Sequence, residues 1–373
     1  MKLGQLIASS PGLFPAVLSE EMRKLLDRVP PEPFGHVERT IAMELGASPA
    51  EVFARFERRP LAAASIAQVH EAWLHDGSHV AVKVRRPRLR RKVERDLRLL
   101  RLLAVLLEQA GGIGEMANPV AIVEDFAYTL RGELDFRNEA RAMTEFADNL
   151  RGFGDNGLVV VPEPVPHLTS RRVIVMTYVE GRPVDEVVRN GGAGHDLEEL
   201  LIAGIRAWAE GALVHGLFHG DVHAGNLFIT DDGKVAFLDF GIIGRLGDDI
   251  RQPVLRALPP ILLQQDWQAA SRLVSEVGVI GRSDIDQVAL ARDIEQLATP
   301  YMGTRLADVS VGEVLSNVVT AATRYKLRLP RELVLVTKQL LYFERYAKAM
   351  APDYQLMSDP RIVATLLPAI TSP

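Results

Sequence analysis

The spacing of apolar residues predicts a helical first segment followed by a small sheet. Residues 1–58 carry a helical pattern that a proline-rich stretch at 30–33 interrupts, and a Ser-Pro-Ala-Glu signal at 48–51 starts a further helix. Short alternating runs then predict strands at 65–73 and 79–85, which a His-Asp-Gly-Ser turn joins.

Helical periodicity dominates the rest of the chain. Leucines recur every three or four positions in residues 88–109, and residues 120–150 form a second helical stretch. Beyond Asp196 the pattern is helical except for one hairpin, which carries an Asp-Gly turn signal. The remaining predicted strands are 159–161, 172–177, 227–230 and 235–238. This order indicates an α+β protein with a small sheet and a mostly helical second part.

Composition matches a globular protein with no bias towards nucleic acid. The 373 residues suit two lobes, 47% of them are apolar, and the net charge is -5. The absence of cysteine excludes disulfides and thiolate chemistry, and it fits a reducing compartment. Polar residues interrupt any signal-peptide core, and no apolar run reaches the ~18–20 residues that span a bilayer. We therefore expect a cytoplasmic protein that meets a membrane, if at all, at its surface.

Two motifs carry the candidate chemistry. The first is His-Gly-Asp-Val-His-Ala-Gly-Asn at 219–226, and the second is Leu-Asp-Phe-Gly at 238–241. Their spacing lets a loop present the Asp221 carboxylate to an attacking hydroxyl while the Asn226 amide oxygen binds metal. Asp239 adds a hard oxygen ligand suited to Mg²⁺. Each motif alone could be an ordinary turn, but both around one hairpin favour a metal–nucleotide site with Asp221 as the catalytic residue.

The two histidines of the first motif have a separate interpretation. His219 and His223 have the i, i+4 spacing of a metal pair, but that spacing brings two ligands together only on a helix. Glycines at 220 and 225 indicate a loop instead. We therefore interpret the histidines as positioning residues.

Lys83 is predicted to contact the phosphates of the nucleotide. Strand alternation places it opposite an apolar face of valines. Twenty residues upstream, small side chains in a loop would let the backbone approach a ligand closely. A snorkelling surface lysine and a tight packing turn are the structural alternatives. The small-residue loop consists of Ala62, Ala63, Ala64 and Ser65.

A later apolar strand leads into a polar crossing at 178–183. At the end of that strand, we expect the main chain of Thr177 and Val179 to contact the edge of an adenine.

An acidic segment could supply a partner for the lysine. Glu133, Asp135 and Glu139 lie on one predicted helix, with Glu133 and Glu139 on roughly the same face and Asp135 pointing elsewhere. One of these acids should form an ion pair with Lys83. A solvated acidic face explains the spacing equally well.

Taken together, these segments resemble the UbiB/AarF/ADCK family of atypical kinases. The distinctive marks are Lys2-x-Gly4-Gln5 with a downstream Asp-Arg-Val-Pro-Pro segment at 27–31, the alanine-rich loop, and Glu133-x-Asp135. Aminoglycoside- and choline-kinase-like enzymes share the His-Gly-Asp loop but lack these marks. The resemblance implies a bilobal protein-kinase-like fold. Its parts would be a helical extension at 1–58, an N-lobe at 59–177 and a C-lobe at 178–373.

The resemblance also implies residue roles and an activity. Lys83 would contact phosphates and pair with Glu139, Asp221 would hold the catalytic-base position, and Asn226 and Asp239 would bind Mg²⁺. The extension would cover the cleft on its substrate side through the gating residues Lys2, Gln5, Glu133 and Asp135. The implied activity is Mg²⁺–ATP binding in an inter-lobe cleft with slow hydrolysis or phosphotransfer. It would support isoprenoid quinone or lipid metabolism, with peptide phosphorylation disfavoured.

Two departures and two alternative functions remain. The Lys2 motif of the family normally follows a longer upstream region, so we expect a start upstream of Met1 or a truncated chain. The C-terminal pair of membrane helices of many relatives is not seen in the sequence.

Two alternative functions are a small-molecule alcohol kinase and a nucleotide-gated scaffold without turnover. An arginine-rich stretch at 83–101 could bind anionic lipid or a quinone-pathway partner, and a solvated or internally paired helix face explains it equally well. Residues 250–373 have no predicted role.

Overall fold

The computed structural model describes residues 30–109, 119–278, 286–299 and 331–354, with scattered positions between 305 and 325. The chain divides into two compact units. Unit 1 contains Met1–Thr144 and Pro162–Tyr178, and unit 2 contains Glu145–Val161 and Val179–Pro373. The predicted gating residues Lys2 and Gln5 lie outside the described residues.

A five-stranded sheet forms the centre of unit 1. Its strands are β1 (Arg55–Phe56), β2 (Ala62–Ala63), β3 (Ala67–Trp73), β4 (His79–Arg85) and β6 (Val173–Thr177), and the order is β1-β3-β4-β6 with β2 also on β3. β3 and β4 pair along their whole length, which confirms both predicted strands. Val80, Val82 and Val84 pack in one core cluster with Val37 and Ile41 of helix α1 (Phe34–Leu45). By strand alternation, Lys83 therefore lies on the other face of β4, as predicted.

The predicted helical segment before the sheet ends earlier than expected. The short helix α2 (Pro49–Val52) begins at the predicted position, and the Glu51 carboxylate accepts hydrogen bonds from the Ser48 N–H and hydroxyl at 2.7 Å each. Arg55–Phe56 then forms strand β1 instead of continuing a helix. Phe53 is buried and its ring lies 5.4 Å from that of Phe56, so packing in the core decides the conformation here.

Three long helices follow β4, where two were predicted. They are α3 (Leu89–Gln109), α4 (Pro119–Glu133) and α5 (Phe136–Gly152). The prediction of one continuous stretch over 120–150 is wrong at 134–135. Leu134 is buried, and the Asp135 carboxylate accepts the Arg137 N–H at 3.2 Å, which caps the start of α5.

Unit 2 combines two small sheets with helices. A four-stranded sheet has the order β5 (Val159–Val160), β10 (Val235–Phe237), β9 (Leu227–Thr230) and β7 (Gly181–Pro183). A second sheet pairs β8 (Leu217–His219) with β11 (Ile243–Arg245). The described helices are α6 (Val184–Arg189), α7 (Leu197–Leu213), α8 (Asp248–Gln264), α9 (Trp267–Gly278), α10 (Gln287–Ala298) and α11 (Arg331–Met350).

The hairpin of β9 and β10 confirms its prediction, but β7, β8 and β11 were not predicted as strands. Each has only three residues, which is too short for alternation to be recognised. The β8–β11 pair matters for the site because it joins the start of the His-Gly-Asp motif to the residues after Asp-Phe-Gly, with His219 opposite Ile243. Across the part of the chain that the structure describes, we find no helix with both the length and the apolar character to cross a membrane.

Candidate functional site

In unit 1, Lys83 and Glu139 form a buried ion pair. The Lys83 Nζ lies 2.7 Å from the Glu139 Oε1, and the two side chains are only 11% and 4% exposed. Lys83 comes from the central strand β4, and Glu139 comes from the first turn of α5. The Phe136 ring, at the start of the same helix, lies 5.4 Å from the Lys83 Nζ. The expected pairing of Lys83 with one acid is therefore present, and the acid is Glu139.

The other two acids of this segment do not share a helix with Glu139, because the helix is broken between Glu133 and Phe136. Glu133 ends α4, so the prediction that it shares a helix face with Glu139 is wrong. Asp135 binds Arg137 at 2.6 Å and lies 3.7 Å from Arg171. The hydrogen bonds from Arg137 hold the pKa of the Asp135 carboxyl below its usual value. Asp135 is thus an anionic residue at the break between α4 and α5.

Arg85 is buried next to the helix break. Its guanidinium donates to the carbonyl oxygen of Leu134, at the break itself. Burial is the main cause that lowers the pKa of Arg85. Arg85 is two residues after Lys83 on β4. The same strand therefore contacts the helix break through Arg85 and carries Lys83 of the ion pair.

The alanine-rich segment is half strand and half turn. Ala62 and Ala63 pair with Val69 and Gln68, so the prediction of a loop throughout 62–65 is wrong for its first half. The turn is closed by the Ala64 N–H, which donates to the Ala67 carbonyl at 2.8 Å.

Arg86 connects this turn to the start of the described chain. It donates to the Ala64 carbonyl at 2.9 Å, to the Glu32 carboxylate at 2.9 Å and to the Pro30 carbonyl at 2.8 Å. Arg86 was not singled out from the sequence, where it is one arginine of a basic run. Its contacts show that Pro30 and Glu32, within the predicted extension, lie next to the alanine-rich turn.

Thr177 ends β6 and is only partly available to a ligand. Its N–H donates to the Glu163 carbonyl at 3.0 Å, and its hydroxyl oxygen accepts the Glu163 N–H at 2.9 Å. The Thr177 carbonyl points to the same side of the strand as its N–H. That carbonyl is therefore the atom of Thr177 that could meet an adenine edge. Val179, the other predicted contact, belongs to unit 2.

In unit 2, a buried histidine holds the loop of the first motif. His219 is fully buried, its Nε2 lies 2.9 Å from the Leu238 carbonyl oxygen, and its Nδ1 accepts the Asp221 N–H at 3.1 Å. These partners require the proton on Nε2, and burial lowers the pKa of His219, so the ring is neutral. One side chain thus joins the two sequence motifs, which confirms the interpretation of His219 as a positioning residue.

Asn226 presents its oxygen as a possible ligand. The Asn226 Nδ2 donates to the Asp221 carbonyl at 3.0 Å, which leaves the Oδ1 atom for a cation. The Leu238 N–H donates to the Asn226 carbonyl at 2.8 Å, so the hairpin and the loop are joined here as well. His223 lies within the loop, where its Nδ1 accepts the Gly225 N–H at 2.9 Å.

Asp239 has a strained backbone. Its φ is +57°, in the left-handed region that a non-glycine residue adopts at a cost of about 1–3 kcal/mol. The Gly241 N–H donates to the Asp239 Oδ1 at 3.2 Å. The next residue, Phe240, is buried, with its ring 4.8 Å from that of His219 and 5.3 Å from that of Phe146. Packing of Phe240 therefore holds Asp239 in a conformation that it would not adopt freely.

The donor set formed by Asn226 and Asp239 fits Mg²⁺. Both provide hard oxygens, and Mg²⁺ commonly takes one or two protein oxygens together with water and substrate phosphates.

Helix α11 contributes residues that sequence reasoning missed. The Lys338 Nζ donates to the Asp221 Oδ1 at 2.8 Å. Gln339 is fully buried; its Oε1 accepts the Val222 N–H at 3.0 Å and its Nε2 donates to the Gly220 carbonyl at 2.8 Å. Tyr346 donates its hydroxyl to the Val222 carbonyl at 2.8 Å, and burial raises its pKa. Because these residues lie more than 110 positions from the loop, no local motif indicates them.

A sheet unit with a buried Lys–Glu pair and a mainly helical unit with these two motifs define a protein-kinase-like protein. Residues 24–274 match the ABC1 atypical kinase-like domain, and residues 294–355 match the UbiB helical domain. The chain belongs to the ABC1 atypical kinase-like family. Helix α11 lies within the stretch that matches the UbiB helical domain.

Relatives of known sequence agree with this assignment. An uncharacterized protein of Mycobacterium tuberculosis strain H37Rv is 42% identical over 362 residues, which cover 97% of this chain and 74% of that protein. An uncharacterized aarF domain-containing protein kinase of the Arabidopsis thaliana chloroplast is 32% identical, covering 97% of this chain and 71% of the relative. A probable protein kinase UbiB of Marinobacter nauticus is also 32% identical, covering 96% of this chain and 65% of its own length.

The fold also matches a solved structure. The Rv3197–erythromycin complex from Mycobacterium tuberculosis aligns with a TM-score of 0.62 and 22% sequence identity, over 95% of this chain and 92% of that chain. At this identity the similarity concerns the fold alone. The α+β fold with a sheet-containing unit and a mainly helical unit is therefore the predicted kinase-like one.

The buried ion pair gives a test of unit 1. Glu139→Gln leaves the buried Lys83 ammonium without its carboxylate, which should cost about 3–5 kcal/mol. We expect a clearly lower melting temperature by calorimetry. Replacing both partners, Lys83→Met with Glu139→Leu, should recover most of the loss, because well-packed apolar residues can replace a buried pair.

A surface pair on the same helix provides the control. Glu145 of α5 binds Arg245 at 2.7 Å, but the two side chains are 41% and 61% exposed. Glu145→Gln should cost less than about 1 kcal/mol. Equal losses for Glu139→Gln and Glu145→Gln would contradict the account of a buried, mutually dependent pair.

Proposed function

We propose that this protein binds Mg²⁺–ATP and turns it over slowly, as a kinase or an ATPase. The Lys83–Glu139 pair is the observation that carries the proposal. A lysine ammonium held at 2.7 Å by a buried carboxylate is positioned to bind phosphate oxygens as a point charge. Stability alone does not explain such a pair, because apolar residues packed at the same positions would make the core at least as stable.

Unit 2 carries residues that would take the other roles of phosphoryl transfer. Asn226 and Asp239 would hold Mg²⁺, which when bound neutralises charge on the phosphates. Asp221 would accept the proton of the attacking hydroxyl or water. A bond forms between that oxygen and the γ-phosphorus, and the bond from the γ-phosphorus to the bridging oxygen breaks. ADP leaves with the electron pair of the broken bond.

Nucleotide binding can be tested by thermal stability. We expect Mg²⁺–ATP to raise the melting temperature, since a ligand at 100 times its Kd stabilises the folded state by about 2.7 kcal/mol. Asp239→Asn keeps the side-chain size but removes the charge on the cation ligand, and it should abolish the shift. Asp231→Asn, at an exposed position of the same hairpin, should keep it. An unchanged melting temperature of the parent protein at millimolar Mg²⁺–ATP would contradict nucleotide binding.

We further propose that the acceptor or activator of the reaction lies at an anionic membrane surface, as a quinone precursor or another isoprenoid lipid would. The support comes from helix α3. Its buried face, with Val93, Leu97 and Ala104, packs on α4. A second apolar stripe on α3 is exposed, with fractional exposures of 53–59% at Leu99, Leu102, Leu103 and Leu106.

Basic side chains continue the exposed stripe towards the start of α3. Arg91, Lys92, Arg95 and Arg98 are exposed there. Leucines next to arginines and lysines on one helix face are typical of helices that lie in the interface of an anionic bilayer. A membrane-dissolved substrate would be met at such a surface.

Vesicle binding tests this second proposal. The parent protein should co-sediment with vesicles of phosphatidylglycerol and phosphatidylcholine, and less so with phosphatidylcholine alone or at high salt. Leu103→Asp with Leu106→Asp should reduce binding about tenfold or more, while Val288→Asp, at a 49% exposed position of α10, should not. Equal sedimentation of the parent and the double variant would contradict a membrane role for α3.

A further inference from the structure

The contact between Lys338 and Asp221 has no assigned role in the reaction described above. The Lys338 Nζ lies 2.8 Å from the Asp221 Oδ1, and the two side chains are 21% and 19% exposed. An ammonium in this setting is far better placed to act on the carboxylate than one on an open surface, because solvent screens it less.

The two oxygens of Asp221 have different surroundings. Oδ1 accepts the hydrogen bond from Lys338. Oδ2 lies 3.7 Å from the His223 Nε2, beyond normal hydrogen-bond distance. The loop residues from Val222 to Gly225 include no lysine or arginine. Among the described side chains, the cation that contacts the Asp221 carboxylate within hydrogen-bond distance is therefore supplied by α11.

Helix α11 holds Lys338 in place through its neighbours. Gln339 bonds the loop backbone on both sides of Asp221, at Gly220 and at Val222. Tyr346, two turns further along, bonds the Val222 carbonyl. The Tyr342 ring lies between them along the helix, 5.9 Å from the Lys338 Nζ. These three bonds hold the loop backbone against the helix and so keep Lys338 within reach of Asp221.

We propose that Lys338 is a positioning residue for phosphoryl transfer, which binds Asp221 Oδ1 so that Oδ2 faces the attacking hydroxyl or water. The inference rests on the proposed function. During transfer the proton of the nucleophile goes to Asp221 Oδ2, and the bond changes at phosphorus are those given above. Lys338 keeps its own protons and fixes the direction of the carboxylate. A carboxylate that rotated freely would meet the nucleophile in the right geometry only part of the time.

The first test is the kinetics of Mg²⁺–ATP hydrolysis in position 338 variants. Lys338→Met should lower kcat about 10–100-fold and leave the KM for ATP within about threefold, since the lost interaction acts in the transition state. Lys338→Arg should restore at least a third of the parent kcat, because a guanidinium also binds a carboxylate. Lys348→Met is the matched control. Lys348 lies on the same helix, pairs with Glu344 and is 40% exposed, and this variant should keep the parent kcat.

The second test is a double-mutant cycle with Asp221→Asn. If Lys338 acts through Asp221, the double variant should be no slower than Asp221→Asn alone, because residues that act as a unit are not additive. Multiplied losses in the double variant would overturn the proposal. So would a kcat for Lys338→Met equal to that of the parent, or a higher one, which would show that the ion pair restrains Asp221.

Failure of the proposed function is distinguishable from failure of this inference. If the parent protein neither binds nor hydrolyses Mg²⁺–ATP, the proposed function fails, and the pair is then tested by melting temperature. If the two residues are coupled, each single variant should melt about 2–4 °C lower than the parent, and the double variant should melt no lower than the less stable single variant. Fully additive shifts would show that the two groups do not interact, and would overturn the inference.

Discussion

The loop that carries Asp221 is short and irregular, so its backbone polar groups are not paired in a helix or a sheet and several take side-chain partners. An unpaired buried group would cost about 1–3 kcal/mol. The partners are the His219 ring, the Asn226 amide, and Gln339 and Tyr346 of α11. Because these partners come from β8, from the end of the loop and from α11, the position of Asp221 depends on both near and distant parts of unit 2. The Asp221 carboxylate itself accepts a hydrogen bond from Lys338 of α11, which is 117 positions away in the sequence.

The same dependence appears in unit 1 around Lys83. A lysine on the central strand can be buried only with a counter-charge, and Glu139 provides it from the first turn of α5. The helix break at 134–135 sets where α5 begins, and Asp135 caps that start while Arg85 donates to the Leu134 carbonyl. The acidic segment is therefore not a solvated helix face. Asp135 caps the start of α5, and Glu139 is the partner of Lys83.

Local features of the sequence located the candidate residues better than they predicted the architecture. The two motifs, Lys83 and the hairpin between residues 227 and 238 are encoded in short stretches, so spacing and turn residues were enough to find them. The break at 134–135 was missed because its cause is burial of Leu134 and contacts with distant arginines. The Lys338 contact was missed because it joins positions 117 apart, which no periodic pattern records. The roles of Lys2 and Gln5 stay predictions.

The central claim is that Asp221, held in this way, serves phosphoryl transfer, and the rate of phosphate release from Mg²⁺–ATP tests it most directly. The account predicts measurable release by the parent protein and a loss of about 10²–10⁴-fold in Asp221→Asn, the range for lost general-base help. Asp221→Asn should still show the thermal shift with Mg²⁺–ATP, because the cation ligands remain. Equal phosphate release by the parent protein and Asp221→Asn would contradict the account.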